Sequence, residues 1–135
     1  MADLVSKEVI GGPFTNACEY VQVSWDVAVE SGATGDYEVL QADSACIVEF
    51  KYLITETTMD STGDAAVISL GKGTAGAEFL DTEGQGSFIA EGIGEDNSGR
   101  FVELTNGESI NLTIGGNTVT AGKFHMVFAI YRKPF

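Results

Sequence analysis

The sequence predicts an all-β fold, an antiparallel β-sandwich, and three observations lead there. Between Glu19 and Glu30, Val21, Val23, Trp25, Val27 and Val29 take every second position. Successive side chains leave a pleated strand on opposite faces, so strict period two places one face against a core. Similar alternation returns at Ala45–Thr55 and at Lys123–Arg132. No stretch carries helical spacing, and turn residues separate short apolar segments along the chain, as in sandwiches and barrels. Short strands joined by long glycine-rich connections favour the jelly-roll version, with about eight or nine strands.

Residues 1–18 read as an N-terminal arm, because the apolar stretch Leu4–Ile10 runs into Gly11-Gly12-Pro13-Phe14, a punctuation too flexible for a regular element. Residues 19–135 are then the sandwich domain. After the first strand, Ser31–Gly35 reads as a turn and Asp36–Gln41 as a short strand. In Ala45–Thr55, Cys46, Val48, Phe50, Tyr52 and Ile54 form one face, and Ala45, Ile47, Glu49, Lys51 and Leu53 the other. Residues 63–99 hold nine of the 17 glycines. Between those glycines, Ala65–Leu70, Ala77–Leu80 and Ser87–Glu91 are strand-sized. Arg100–Leu104, a tight turn at Asn106-Gly107, Ser109–Ile114 and Lys123–Arg132 complete the set, the last with Phe124, Met126, Phe128 and Ile130 facing inward.

At 135 residues the chain is one domain, long enough to bury its own core. Twenty acidic against 7 basic residues give a net charge of −13, which repels a phosphate backbone and argues against nucleic acid. The acids crowd residues 1–100, while residues 101–135 hold only 2 of them beside 3 bases. No apolar run approaches the ~20 residues that span a bilayer, so no membrane partner is expected. The segment MADLVSKEVIGG lacks the apolar stretch of a secretory signal, and synthesis in a reducing cytosol is expected. Cys18 and Cys46 fit no metal pattern and read as small buried hydrophobes, with a bridge between them left open.

Candidate chemistry is sparse. The single histidine, His125, lies between Phe124 and Met126 with its side chain opposite the aromatic face, and Ser24 has no GxSxG elbow around it. The expectation is therefore not an enzyme, with no catalytic residue, no cofactor and no metal site. Asp60–Asp64 and Glu95–Asn97 offer oxygen ligands to calcium but fit no EF-hand spacing. Gly71-Lys72-Gly73-Thr74 lacks the spacing and the helix of a phosphate loop. The more useful signal is apolar residues on both faces of two strands: Val127, Ala129 and Tyr131 oppose Phe124–Ile130, and Ile47 and Leu53 oppose Cys46–Ile54. Outer faces of a sandwich are normally polar, so the arm, another subunit or a larger assembly should cover these.

In the segment GESINLTIGGNTVTAGKFHMVFAIYRKPF, a "G-[ED]-x-[IL]-x-[IL]-x-x-x-G" strand falls on Gly107, Glu108, Ile110, Leu112 and Gly116. Thr120-Ala121-Gly122-Lys123 and a final amphipathic strand follow it. Over roughly these last 30 residues the chain resembles small virion proteins of tailed bacteriophages, most of all head decoration or cement proteins. The resemblance implies a jelly-roll-like module, often a homotrimer, seated on the major capsid protein at the outside of an icosahedral head, where it strengthens the lattice. The expected location is the virion surface. Residues 1–18 are the expected docking arm, and Phe14, Tyr131 and Phe135 the interface candidates, since aromatics are enriched at interface cores. A carbohydrate-binding β-sandwich is the rival expectation, opposed by Trp25, whose alternation with valines is that of a core residue.

Overall fold

Alternating sequence becomes sheet where each run finds an antiparallel neighbour. The computed structural model describes residues 18–89 and 101–132, in which eight strands form two four-stranded sheets packed face to face. The strands are β1 (Glu19–Asp26), β2 (Gly35–Gln41), β3 (Cys46–Ser61), β4 (Val67–Lys72), β5 (Leu80–Gly84), β6 (Phe101–Leu104), β7 (Ser109–Gly115) and β8 (Val119–Arg132). Single 3-10 turns lie at Thr62–Asp64 and Gln85–Ser87. One sheet has the order β1-β8-β3-β6 and the other β2-β7-β4-β5. The pairs 1–8, 2–7, 3–6 and 4–5 are nested, as if one long hairpin were rolled so that successive pairs fall in alternate sheets. That winding is a jelly roll, and it meets the expectation.

The sandwich interior is built from the predicted faces of β1 and β8. Val21 and Trp25 of β1 are buried, and so are Phe124, Met126, Phe128 and Ile130 of β8. Phe50 of β3 stacks on Phe79 with centroids 5.6 Å apart, and both meet Phe128; Phe88 covers Phe124 at 5.2 Å. Trp25 is a core residue, 6% exposed, tilted on Tyr37 and donating its indole N–H to the Ser31 carbonyl at 3.1 Å. The Ser31 loop tucks under the start of β8, where the Val119 N–H reaches Gly32 O at 2.7 Å. A Cβ at Gly32 would lie 1.8 Å from the Val119 carbonyl oxygen, so no other residue fits that approach.

Several expectations are corrected. The β3 pattern breaks at Lys51, where pairing with β8 skips from Phe50↔Phe128 to Tyr52↔Val127. The extra residue reverses the side chains from Tyr52 to Thr55, beyond which the pairing shifts again. Leu53, expected outward, is fully buried, whereas Tyr52 and Ile54, expected inward, are 40% and 39% exposed. β1 stops at Asp26, and Val29 is exposed in the loop that follows. Of the three glycine-flanked segments, Ala65–Leu70 runs into β4, Ala77–Leu80 only reaches β5 at its last residue, and Ser87 ends a 3-10 turn. The Asn106-Gly107 turn forms, with Gly107 at φ 88°, but it carries the chain from one sheet to the other. There the Gly107 N–H reaches the Ala42 carbonyl at 2.6 Å and the Ala42 N–H reaches Glu108 O at 2.9 Å, joining two crossovers at one corner. Cys46 is buried, Cys18 only half-buried, and no disulfide joins them. The expected arm, Phe14, Phe135 and Glu95–Asn97 lie outside the described residues.

Candidate functional site on the outer face of the β1-β8-β3-β6 sheet

Alternate residues of this sheet face away from the core, and the register lines them up in rows. Tyr20 of β1 stands opposite Ala129 of β8, Ala129 opposite Glu49 of β3, and Glu49 opposite Phe101 of β6. Gln22, Val127 and Tyr52 form the next row, followed by Ser24, His125 and Ile54. Large apolar groups therefore look outward: Tyr20 and Phe101 are each 59% exposed, and Tyr52 and Ile54 join them because the β3 bulge turns them out. Tyr20, Val21, Gln22, Lys51, Tyr52 and Val127 line a groove of about 300 Å³, with phenol rings as its walls and Val127 between them.

At the centre of the face sits a buried carboxylate. Glu49 is 7% exposed although its strand position points outward. It accepts a hydrogen bond from the Tyr131 phenol at 2.9 Å and an ion pair from Lys51 Nζ at 3.6 Å. These partners supply what water would otherwise provide to a desolvated charge. The bond to Glu49, reinforced by burial and by the carboxylate's charge, pushes the Tyr131 phenol up to about 12. The Tyr131 ring also packs against Phe101, centroids 6.1 Å apart. On the β1 side the Tyr20 phenol is raised as well, chiefly by its hydrogen bond with the Cys18 thiol.

A second cluster lies along the same face. His125 Nδ1 is 2.8 Å from Ser24 Oγ, and its Nε2 is 2.7 Å from Glu56 Oε1. The Nε2–H tautomer fits this pattern, donating to Glu56 and accepting from the serine hydroxyl. Lys123 Nζ pairs with the other Glu56 oxygen at 3.5 Å. The histidine contact, together with the lysine, holds the Glu56 carboxyl below its ordinary range. Serine, imidazole and carboxylate are in contact as in a nucleophilic triad, but the serine meets Nδ1 instead of Nε2. Ser24 also sits on the pleat of a regular strand, where backbone N–H groups lie in the plane of the sheet and point away from the space above its hydroxyl. The cluster ties β1, β8 and β3 together across the face.

Sequence reasoning placed His125 opposite the aromatic face, where the structure has it, but did not join it to Ser24 and Glu56. Those residues lie 101 and 69 positions away, and only the strand order reveals the meeting. Of the interface candidates, Tyr131 belongs to this face as the clasp on Glu49. In the calcium candidate, Asp60 accepts the Ser61 N–H and Asp64 accepts the Gln85 amide. Among the described residues no group of three or more His, Cys, Asp or Glu side chains is placed to hold a metal ion, and no helix is long and apolar enough to cross a membrane. No family model, curated protein or solved structure matches this chain.

Proposed function

We propose that this chain is a structural virion protein of the head-decoration kind, which seats the outer face of its β1-β8-β3-β6 sheet on the major capsid protein and stabilises the lattice. The observation that carries the reading is the exposure of Tyr20, Tyr52, Ile54 and Phe101 on one face of a molecule with a net charge of −13. Large apolar side chains gathered on one exposed face of this sort mark a contact site. Two of the carboxylates on that face, Glu49 and Glu56, each hold a lysine, which offsets part of the repulsion that the other acids, Asp26 and Glu103 of the same face among them, impose. The resemblance of residues 107–135 to decoration proteins supports the same reading.

The test is co-sedimentation with undecorated capsids assembled from the major capsid protein of the same genome. The intact chain is expected to co-sediment, and Tyr20→Ser/Phe101→Ser to bind at least tenfold more weakly, because losing aromatic anchors at both margins of the face should remove about 2 kcal/mol or more. Equal binding by the two proteins would refute the choice of face. Removal of residues 2–14 in the same assay tests the docking arm expected from sequence. A second reading, carbohydrate binding, draws on the groove in which Tyr20 and Tyr52 flank the Gln22 amide and the Lys51 ammonium. Specific hits on a glycan array, lost in the same double variant, would favour it.

A further inference from the structure

A sheet that does not close has edges, and a jelly roll of two four-stranded sheets has four of them: β1, β6, β2 and β5. Three are blunted in the ways that prevent unwanted pairing. β6 has only four residues, Phe101–Leu104. β2 is interrupted by a register shift between Glu38 and Leu40 and shows the acids Asp36 and Glu38 to solvent. β5 pairs with a register shift opposite Ile68 and Leu70, carries Asp81 and Glu83, and contains Thr82 with φ 48°.

β1 has none of these protections. Its eight residues pair with β8 without a single shift, and its sequence, EYVQVSWD, contains no lysine, proline or glycine. The phase of its open side follows from one hydrogen bond. Val27 N–H reaches Gly122 O at 3.0 Å, so Val27 and Gly122 form a bonded pair, and bonded pairs in an antiparallel ladder recur at every second residue. Trp25, Val23, Val21 and Glu19 are therefore bonded to β8, while the N–H and C=O groups of Tyr20, Gln22 and Ser24 point to the free edge; at Asp26 the carbonyl is taken by the Val29 and Glu30 N–H groups of the following loop. Among the described residues only β8 pairs with β1.

We infer that a second copy of this chain pairs with β1 across a two-fold axis, antiparallel, joining two β1-β8-β3-β6 sheets into one of eight strands. The edge is self-complementary, as an isologous contact requires. With Gln22 facing its symmetry mate, Tyr20 falls opposite Ser24 on the outer face and Val21 opposite Val23 on the inner one. The backbone groups that meet are those of Tyr20, Gln22 and Ser24, which the ladder with β8 leaves unbonded. From Tyr20 to Trp25 the strand carries no charge, so two molecules of net charge −13 approach along the one open edge that adds no like-charge contact of its own. The inference is independent of the capsid reading, because it concerns what the free protein does with itself.

Multi-angle light scattering of the full chain, combined with amide hydrogen exchange across a dilution series, tests it. The expected mass at high concentration is twice 14.2 kDa. The amides of Tyr20, Gln22 and Ser24 should exchange at least tenfold more slowly in the dimer than after dilution, while those of Val21, Val23 and Trp25 stay protected throughout. Gln22→Lys, at an exposed position, sets two ammonium groups face to face and should give a monomer with unchanged circular dichroism. A monomer or trimer at every concentration would overturn the inference. So would protection of Tyr20, Gln22 and Ser24 that survives dilution, which would assign the edge to another segment of the same chain.

Discussion

Glu49 shows how an outward-facing charge comes to be buried. Its neighbours across the sheet are Ala129, too short to shield anything, and Phe101, so the cover comes from the longer side chains of Tyr131 and Lys51, which reach over and bond to it. The cost of desolvating the carboxylate is offset by a charge-assisted hydrogen bond, and the same bond makes the phenol reluctant to ionise. The sign for stability follows. A phenol whose folded value is raised from 10.0 to about 12 contributes stability that is complete below pH 10 and is lost as pH rises through about 12. Spectrophotometric titration at the tyrosinate band should therefore find one phenol ionising near pH 12, and Tyr131→Phe should remove that step. Glu49→Gln should bring it down toward 10, since the amide carries no charge to oppose the phenolate. A Tyr131 that titrates near 10 in the intact protein would contradict the clasp.

The bulge at Lys51 decides which apolar residues the molecule shows to its surroundings. Removing Lys51 should leave the fold intact, because Phe50, Tyr52 and Leu53 would then alternate in, out, in against an unbroken β8 register. Removing Leu53 instead places Ile54 at the buried site and drives the following residues out of phase. That variant should lose at least the ~2–5 kcal/mol of a truncated core leucine, whereas the Lys51 deletion should melt within a few degrees of the parent; thermal unfolding by circular dichroism separates them. The same bulge explains where sequence reading succeeded and where it failed. β1 sets valines and Trp25 against polar residues, and β8 sets Phe124, Met126, Phe128 and Ile130 against His125 and the smaller Val127 and Ala129, so their inward faces were readable from spacing alone. Around Phe50, Tyr52, Leu53 and Ile54 both phases are apolar, and nothing local marks the skipped residue. The Asn106-Gly107 turn was equally plain as a turn, yet its passage between sheets depends on Ala42 bonds made by a distant crossover. The outer-face site was half visible, as apolar residues on the wrong side of two strands. Its polar members, Glu49 with Tyr131 and Ser24 with His125 and Glu56, are separated by 69 to 101 residues and needed the strand order to meet.

Long separations govern the whole molecule. The first strand pairs with the last, Glu19 opposite Ile130, and every nested pair outside β4–β5 closes a long loop before it gains any contact. Refolding should consequently take milliseconds to seconds, as in other sandwiches dominated by non-local pairing, and stopped-flow fluorescence of Trp25 should report it. Completion within microseconds would contradict the nesting. The ion pair between Glu19 and Arg132, 2.5 Å apart and 113 positions distant in sequence, has a practical corollary. Glu19 and Arg132, the outermost paired residues of the first and last strands, thus meet at one corner, so a tag or cargo attached through either flank starts from the same side of the molecule. Bridging that corner with a linker and reopening the backbone at Asn106-Gly107 would yield a circular permutant in which β8 and β1 are consecutive. The remotest pairing in the chain would thereby become a hairpin.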